Sequence, residues 1–239
     1  MLIKARKILH CTENNFNMKQ TSLKIIALLI LFSFFGNLKA QQPRYFKDIQ
    51  KFKKQDSIAM PPKNAILFIG SSSFTKWTDV QAYFPGYTII NRAFGGSTLP
   101  EVIGYADDII FPYKPKQVVI YCGENDLASS DTVTPTIVLN RFKQLFGIIR
   151  NKLGNINITY VSIKPSPSRK KILARDELAN DMIRKFLKTK SNTGFVDVYH
   201  PMIDKDRVIN GAIFTSDSLH MNAKGYVIWQ KLIQPYLLK

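Results

Sequence analysis

Cysteine, histidine and acidic residues are all scarce in this 239-residue chain, and each scarcity removes a class of function. There are two cysteines, Cys11 and Cys122, and three histidines, His10, His200 and His220. Cys11 lies in a stretch that reads as a leader, so the mature chain keeps one cysteine and no internal disulfide. Its stability must then come from its core, even in an oxidising compartment. So few thiols and imidazoles, none of them clustered, suggest no zinc or related site, and neither a metal nor another cofactor is expected. The chain also lacks Gly-x-x-x-x-Gly-Lys-Ser/Thr and any Gly-x-Gly-x-x-Gly after a strand, which argues against a nucleotide- or phosphate-binding protein. Acidic residues number 17 against 34 Lys or Arg, a net charge of +17. Residues 1–40 hold six of the basic residues and one acidic one, so the remainder carries 28 against 16, or +12. Its lysines are scattered, with one dense patch at Lys47, Lys51, Lys53 and Lys54. A basic surface attracts anionic polysaccharide, membrane surface or nucleic acid. No nucleic-acid motif accompanies it, so a soluble basic surface is the simpler reading and no nucleic-acid partner is expected.

Long apolar runs are missing too. The longest, Ile25 to Phe35, has a basic flank at Lys19 and Lys24 and ends in Gly36-Asn37-Leu38-Lys39-Ala40. A membrane-spanning helix needs roughly twenty apolar residues, whereas a positive flank, a short apolar core and a small residue at the exit describe a secretory signal peptide. Residues 1–40 therefore read as a signal peptide cleaved near Ala40, with Met18 an alternative start. No cysteine follows the apolar run, which disfavours a lipoprotein anchor. The expected mature protein is secreted or periplasmic, without a stable membrane anchor. Residues 41–62 read as an N-terminal extension and 63–239 as the folded domain.

What the chain does have is a regular alternation of two kinds of segment. Ala65–Ile69 is a continuous apolar run ending at Gly70, the pattern of a buried parallel strand. Similar runs follow at Tyr87–Ile90, Gln117–Cys122, Ile156–Val161 and Phe195–Val198. Helical patterns fill the gaps. Thr98-Leu99-Pro100-Glu101 reads as a capping box opening a helix through Ile110. Thr134-Pro135 opens another, with Val138, Phe142, Leu145 and Ile149 on one face, and residues 174–190 and 223–237 read as two more. This alternation predicts an α/β fold, a five-stranded parallel sheet wrapped by helices on both faces. Ligands in such sheets bind at the carboxyl ends of the strands.

Four of those ends carry polar groups. Gly70-Ser71-Ser72-Ser73 places a serine at a strand-to-helix turn, where it is a nucleophile, a helix cap or a phosphate cradle. Asn91 to Ser97 contains Gly95-Gly96, which lets backbone N–H groups approach a ligand or simply makes a tight turn. Gly123-Glu124-Asn125-Asp126 offers a side-chain amide to developing negative charge, or ordinary turn chemistry. Asp217-Ser218-Leu219-His220 precedes the last helix, with a carboxylate placed to orient an imidazole. A second Asp-x-x-His exists at Asp197 and His200, but it follows the fifth strand directly. His220 is the better base, because its loop can fold back over the first strand.

The order of these blocks, Gly-x-Ser, Gly-Gly, Gly-x-Asn-Asp and Asp-x-x-His, resembles the signature of the SGNH (GDSL-type) serine hydrolases. The resemblance runs from about Tyr45 to the C-terminus and includes Met221-Asn222-Ala223-Lys224-Gly225-Tyr226 after the histidine. It implies a flavodoxin-like three-layer α/β/α sandwich with Ser72 as nucleophile, His220 as base and Asp217 as the orienting acid. The implied oxyanion hole comprises the N–H groups of Ser72 and Gly96 and the amide of Asn125. The family's first block is usually Gly-Asp-Ser, and Ser71 here matches its Gly-Ser-Ser subset. Ala93 stands where close relatives tend to have glycine, which bears on loop geometry rather than chemistry. Arg92 and Glu124 either line the entrance and select substrate or make structural salt bridges. Lys164-Pro165-Ser166-Pro167-Ser168-Arg169 reads as a rigid rim loop, and Cys122 as a buried strand-end residue. The implied activity is hydrolysis of a small-molecule or polysaccharide ester through an acyl-enzyme. Export and the lack of a long apolar lid point to a short acyl group, acetate on carbohydrate. A non-catalytic glycan-binding module and an O-acyltransferase are the alternatives on the same fold.

Overall fold

The computed structural model describes residues 42–239, of which Tyr45–Lys239 form one compact unit. The signal-peptide reading, with Met18, His10 and Cys11, lies outside the described residues. Five strands form where the apolar runs predict them: β1 Ile66–Gly70, β2 Ile89–Asn91, β3 Gln117–Tyr121, β4 Asn157–Val161 and β5 Thr193–Val196. They make one all-parallel sheet in the order β2-β1-β3-β4-β5, the expected flavodoxin-like arrangement. Every residue of β1 and β3 is buried. These central strands have helices on both faces, so alternation gives way to continuous apolar sequence.

The two-residue period of a strand divides the core into two apolar layers. Leu67, Ile69, Val118, Ile120 and Ile158 point to one side. That side is covered by α1 (Phe46–Ile58), α4 (Leu99–Gly104), α5 (Ala106–Ile109), α7 (Pro135–Leu153) and α8 (Leu173–Lys188). Ile66, Phe68, Val119, Tyr121 and Val161 point to the other. There they meet two single turns, α2 (Ser72–Thr75) and α3 (Val80–Tyr83), and the last helix α9 (Ala223–Ile233). The remaining short helix, α6, spans Glu124–Ser129 at the exit of β3.

Helix signals hold at the predicted starts. Thr98 and Glu101 form the reciprocal capping box of α4, and Thr134 Oγ1 accepts the Ile137 N–H above Pro135 at the start of α7. Elsewhere the boundaries shift for local reasons. The predicted helix through Ile110 breaks at Tyr105 into α4 and α5. The last helix tightens into a 3₁₀ turn at Gln234–Tyr236, since Pro235 cannot donate an N–H. The edge strand β2 begins only where it meets β1, pairing Ile89 with Ile66. β5 starts and stops two residues early: Asp197 Oδ1 accepts from the N–H groups of Tyr199 and His200, turning the chain away from the sheet. The helix α1 was not foreseen. It arises from the stretch read as an extension and buries Ile49 in the first apolar layer.

Candidate active site

The site is built at the carboxyl ends of β1, β3 and the segments after them. β1 ends at Gly70, whose φ of +123° lies in a region that only glycine occupies freely. A Cβ there would stand 1.9 Å from the carbonyl oxygen of Tyr121 on the neighbouring strand. The glycine thus lets the chain turn sharply while staying pressed against β3, with Ser71 N–H donating to the Tyr121 carbonyl at 2.9 Å. Ser72 then opens α2. Beneath it, Phe74, Trp77, Tyr121 and Trp229 pack as an aromatic cluster, and Tyr226 Oη donates to the Ser73 carbonyl at 2.9 Å. The Ser72 turn therefore rests on the packed aromatic side chains of the second layer.

His220 arrives from the opposite end of the sequence. Its Nε2 lies 2.9 Å from Ser72 Oγ and its Nδ1 lies 2.6 Å from Asp217 Oδ2. The Asp217 loop is locked by its own hydrogen bonds: Oδ1 accepts from the N–H groups of Leu219 and His220, each at 2.9 Å, and from Thr215 Oγ1 at 2.8 Å. The His220 side chain, helped by these donors, holds the Asp217 carboxyl far below the usual carboxylate range, so it stays ionised. The competing motif is placed differently. His200 Nδ1 meets Asp197 Oδ2 at 2.7 Å, but its Nε2 faces Glu177 at 3.6 Å and no serine.

The glycine pair lies beside Ser72: a Cβ on Gly95 would come 4.0 Å from that of Ser72, and Gly96 adopts φ +80°. Among the described residues no acceptor engages the backbone N–H of Ser72 or of Gly96. The loop is tied down by Ser97 Oγ, which donates to the Gly70 carbonyl at 2.9 Å. Asp126, fully buried, ties it further by accepting from Leu99 N–H at 2.9 Å and Arg141 at 2.7 Å. Burial raises the Asp126 carboxyl pKa, and these two donors pull it back. Ala93 does not sit in the left-handed region, so the loop accommodates a side chain there without backbone strain.

Asn125 lies at the first turn of α6, partly exposed. Its Nδ2 donates to Ser71 Oγ at 2.6 Å and to the Ser97 carbonyl at 3.1 Å, while its Oδ1 accepts from Arg169 Nη2 at 2.8 Å. Ser72, Gly96, Asn125, Asp217 and His220 are thus brought to one side of the sheet edge from four separated segments.

Two expected substrate-facing residues are elsewhere. Arg92 is buried: its guanidinium binds Asp56 of α1, its Nε donates to Tyr113 Oη at 2.6 Å, and it lies 5.2 Å over the Phe52 ring. It clamps α1 to the sheet instead of lining an entrance. Glu124 is also buried, accepting from Tyr121 Oη at 2.6 Å, Lys164 Nζ at 2.8 Å and Ser166 Oγ at 2.7 Å. Burial pushes its carboxyl pKa up, but Lys164 and Arg169 outweigh that and hold it below the ordinary value. The expected rim loop is accordingly an interior segment at Lys164–Ser166, and only from Pro167 onward does it reach the edge. Sequence reasoning missed this buried charge cluster, and with it Arg169 as a partner of Asn125. The available signal was a lysine three residues past the end of an apolar strand and before proline, a position that predicts burial of its neighbours but not a partner. Cys122 is buried as expected, its thiol pKa pushed up by burial.

The model of the GDSL-like lipase/acylhydrolase family matches residues 56–228. The chain belongs to this family. It is therefore an ester-hydrolysing serine hydrolase, and its neighbours among solved structures share the fold. A protein of Bacteroides fragilis assigned as an acylhydrolase superposes with a TM-score of 0.69 at 21% identity, covering 80% of this chain and 95% of that one. A GDSL-like lipase from Bacteroides thetaiotaomicron gives 0.66 at 21% identity, over 78% of this chain and 95% of that one. A catalytic mutant of an acetylxylan esterase from Geobacillus stearothermophilus gives 0.59 at 14% identity, over 75% and 96%. No curated protein matches the chain. Among the described residues no helix is long and apolar enough to cross a membrane.

Proposed function

We propose that this family member is an exported esterase that removes short acyl groups, acetate foremost, from carbohydrate esters through an acyl-enzyme on Ser72. The observation that carries the mechanism is the continuous chain Asp217–His220–Ser72, with contacts of 2.6 and 2.9 Å. In the reaction His220 Nε2 takes the Ser72 hydroxyl proton as Oγ bonds to the ester carbonyl carbon. Asp217 keeps the imidazole in the tautomer that leaves Nε2 free to accept. The negative charge on the carbonyl oxygen is met by the N–H groups of Ser72 and Gly96, and by Asn125 Nδ2, which gives up Ser71 Oγ to reach it. Collapse of this intermediate breaks the ester C–O bond, and His220 returns the proton to the leaving alcohol. Water then attacks the acyl group with His220 again as base, and the free acid leaves.

The acetyl-carbohydrate assignment is supported by the fold shared with an acetylxylan esterase and by the secretory leader read in residues 1–40. A glycan-binding module that had lost catalysis would need no nucleophile–base contact, and this chain keeps one. The test is hydrolysis of p-nitrophenyl acetate and of acetylated xylo-oligosaccharides by the protein lacking residues 1–40. Ser72→Ala and His220→Ala should each lower turnover by on the order of 10⁴-fold or more. Turnover retained in Ser72→Ala would show that another residue is the nucleophile, and activity confined to long-chain esters would overturn the acetyl assignment.

A further inference from the structure

The Asn125 carboxamide carries a problem that its own side chain cannot solve. A primary amide is nearly symmetric in shape, and a half-turn about its terminal bond exchanges a double donor for an acceptor. With Nδ2 toward the nucleophile the group stabilises an oxyanion; with Oδ1 there it repels one. Of its three neighbours, Ser71 Oγ can donate or accept and so does not distinguish the two states. The Ser97 carbonyl only accepts, and requires Nδ2 at 3.1 Å. Arg169 only donates, and requires Oδ1 at 2.8 Å.

We infer that Arg169 is a positioning residue of the oxyanion hole, holding Asn125 in the one orientation that presents Nδ2 to the reacting carbonyl. This rests on the esterase reading of the same site. The guanidinium sits beside a buried anion: Nη1 makes an ion pair, not a hydrogen bond, with Glu124 Oε1 at 3.6 Å, and Glu124 is anchored by Tyr121, Ser166 and Lys164. The backbone of the segment is held as well, since Ser168 N–H donates to the Ser218 carbonyl at 2.9 Å. That bond couples it to the loop carrying Asp217 and His220. When Nδ2 exchanges Ser71 Oγ for the developing oxyanion, Oδ1 stays pinned, and the amide need only tilt. The cation on Oδ1 also polarises the amide, so its N–H becomes a stronger donor as negative charge grows. Lys164 remains beside Glu124 when the guanidinium is removed, so the buried carboxylate keeps a counter-charge.

The experiment is a double-mutant cycle on p-nitrophenyl acetate hydrolysis, with melting temperatures recorded for every variant. Asn125→Ala should lower kcat by ~10²–10³-fold, as loss of one oxyanion donor does. Arg169→Ala should lower kcat by roughly 10–100-fold with KM within about threefold, and Arg169→Lys should recover part of that loss. In the Asn125→Ala background, Arg169→Ala should add less than about threefold, because its partner is gone. Fully additive losses, or a raised KM with kcat intact, would overturn the inference and make Arg169 a direct substrate contact. Should Arg169→Ala fail to fold, Arg169→Gln, which keeps a donor without the charge, is carried through the same cycle with the same criteria. Failure of the parent reading looks different: turnover would survive in Ser72→Ala, whereas failure of this inference leaves Ser72→Ala inactive.

Discussion

Asp176 offers a measurement of how the interior of this protein handles charge. It lies in the first turn of α8, wholly buried, and among the described residues neither carboxyl oxygen has a hydrogen-bond partner. Burial, reinforced by the nearby Glu124 charge, raises its pKa from 3.8 to about 8, against a smaller pull from Lys164, Arg169 and Arg175. The folded protein therefore holds a proton at neutral pH that the unfolded chain has released. Stability falls as pH rises between about 4 and about 8, because the native state binds more protons across that window. A difference of about four pKa units, at ~1.4 kcal/mol each, amounts to on the order of 5 kcal/mol at pH 8 and roughly 1–2 kcal/mol at pH 5. Asp176→Asn abolishes the ionisation in both states. It adds a buried amide without a partner, which costs ~1–3 kcal/mol at either pH. The net expectation is a gain of roughly 2–4 kcal/mol at pH 8, or a melting temperature about 5–10 °C higher, and little or no gain at pH 5. Thermal or urea melts of both proteins at the two pH values decide it. An effect of equal size at pH 5 and pH 8, or destabilisation at pH 8, would refute the reasoning and show that Asp176 is ionised in the native state.

Three other substitutions separate structural from chemical roles. Arg92→Ala breaks a mostly buried ion pair with Asp56 and leaves Tyr113 Oη without its donor. It should cost about 3 kcal/mol in urea denaturation while kcat stays within about threefold of wild type. Gly70→Ala forces a Cβ into the Tyr121 carbonyl at a φ reserved for glycine. A loss on the order of 3–5 kcal/mol is expected, read as a collapse of the melting transition by circular dichroism. Asp217→Asn presents an amide to His220 Nδ1 and favours the wrong imidazole tautomer. Turnover on p-nitrophenyl acetate should fall by roughly 10³–10⁴-fold with the melting temperature little changed.

The sequence by itself determined the sheet and the four blocks at its edge. Five apolar runs of strand length, the last four each followed by a helical pattern, leave few arrangements other than a parallel sheet covered on both sides, because buried strands cannot alternate with polar residues. Gly70 was legible as a turn and Ser72, Gly96, Asn125, Asp217 and His220 as candidates, since each follows a strand or precedes the last helix. Local physics did not decide which of two Asp-x-x-His pairs faces the serine. His200 and His220 have the same short-range geometry with their aspartates, 2.7 and 2.6 Å, and differ only in what the fold brings to the other ring nitrogen. Charged side chains were the least legible. Arg92 and Glu124 sit at strand exits where solvent and substrate are the natural expectation. Whether such a group points to the edge or inward depends on partners far away in sequence: Asp56 and Tyr113 for one, Lys164 and Ser166 for the other. A buried charge needs a counter-charge and donors at hydrogen-bond distance. Pairings across 21 to 42 positions leave no periodic trace in a sequence, so only the tertiary structure could make that assignment.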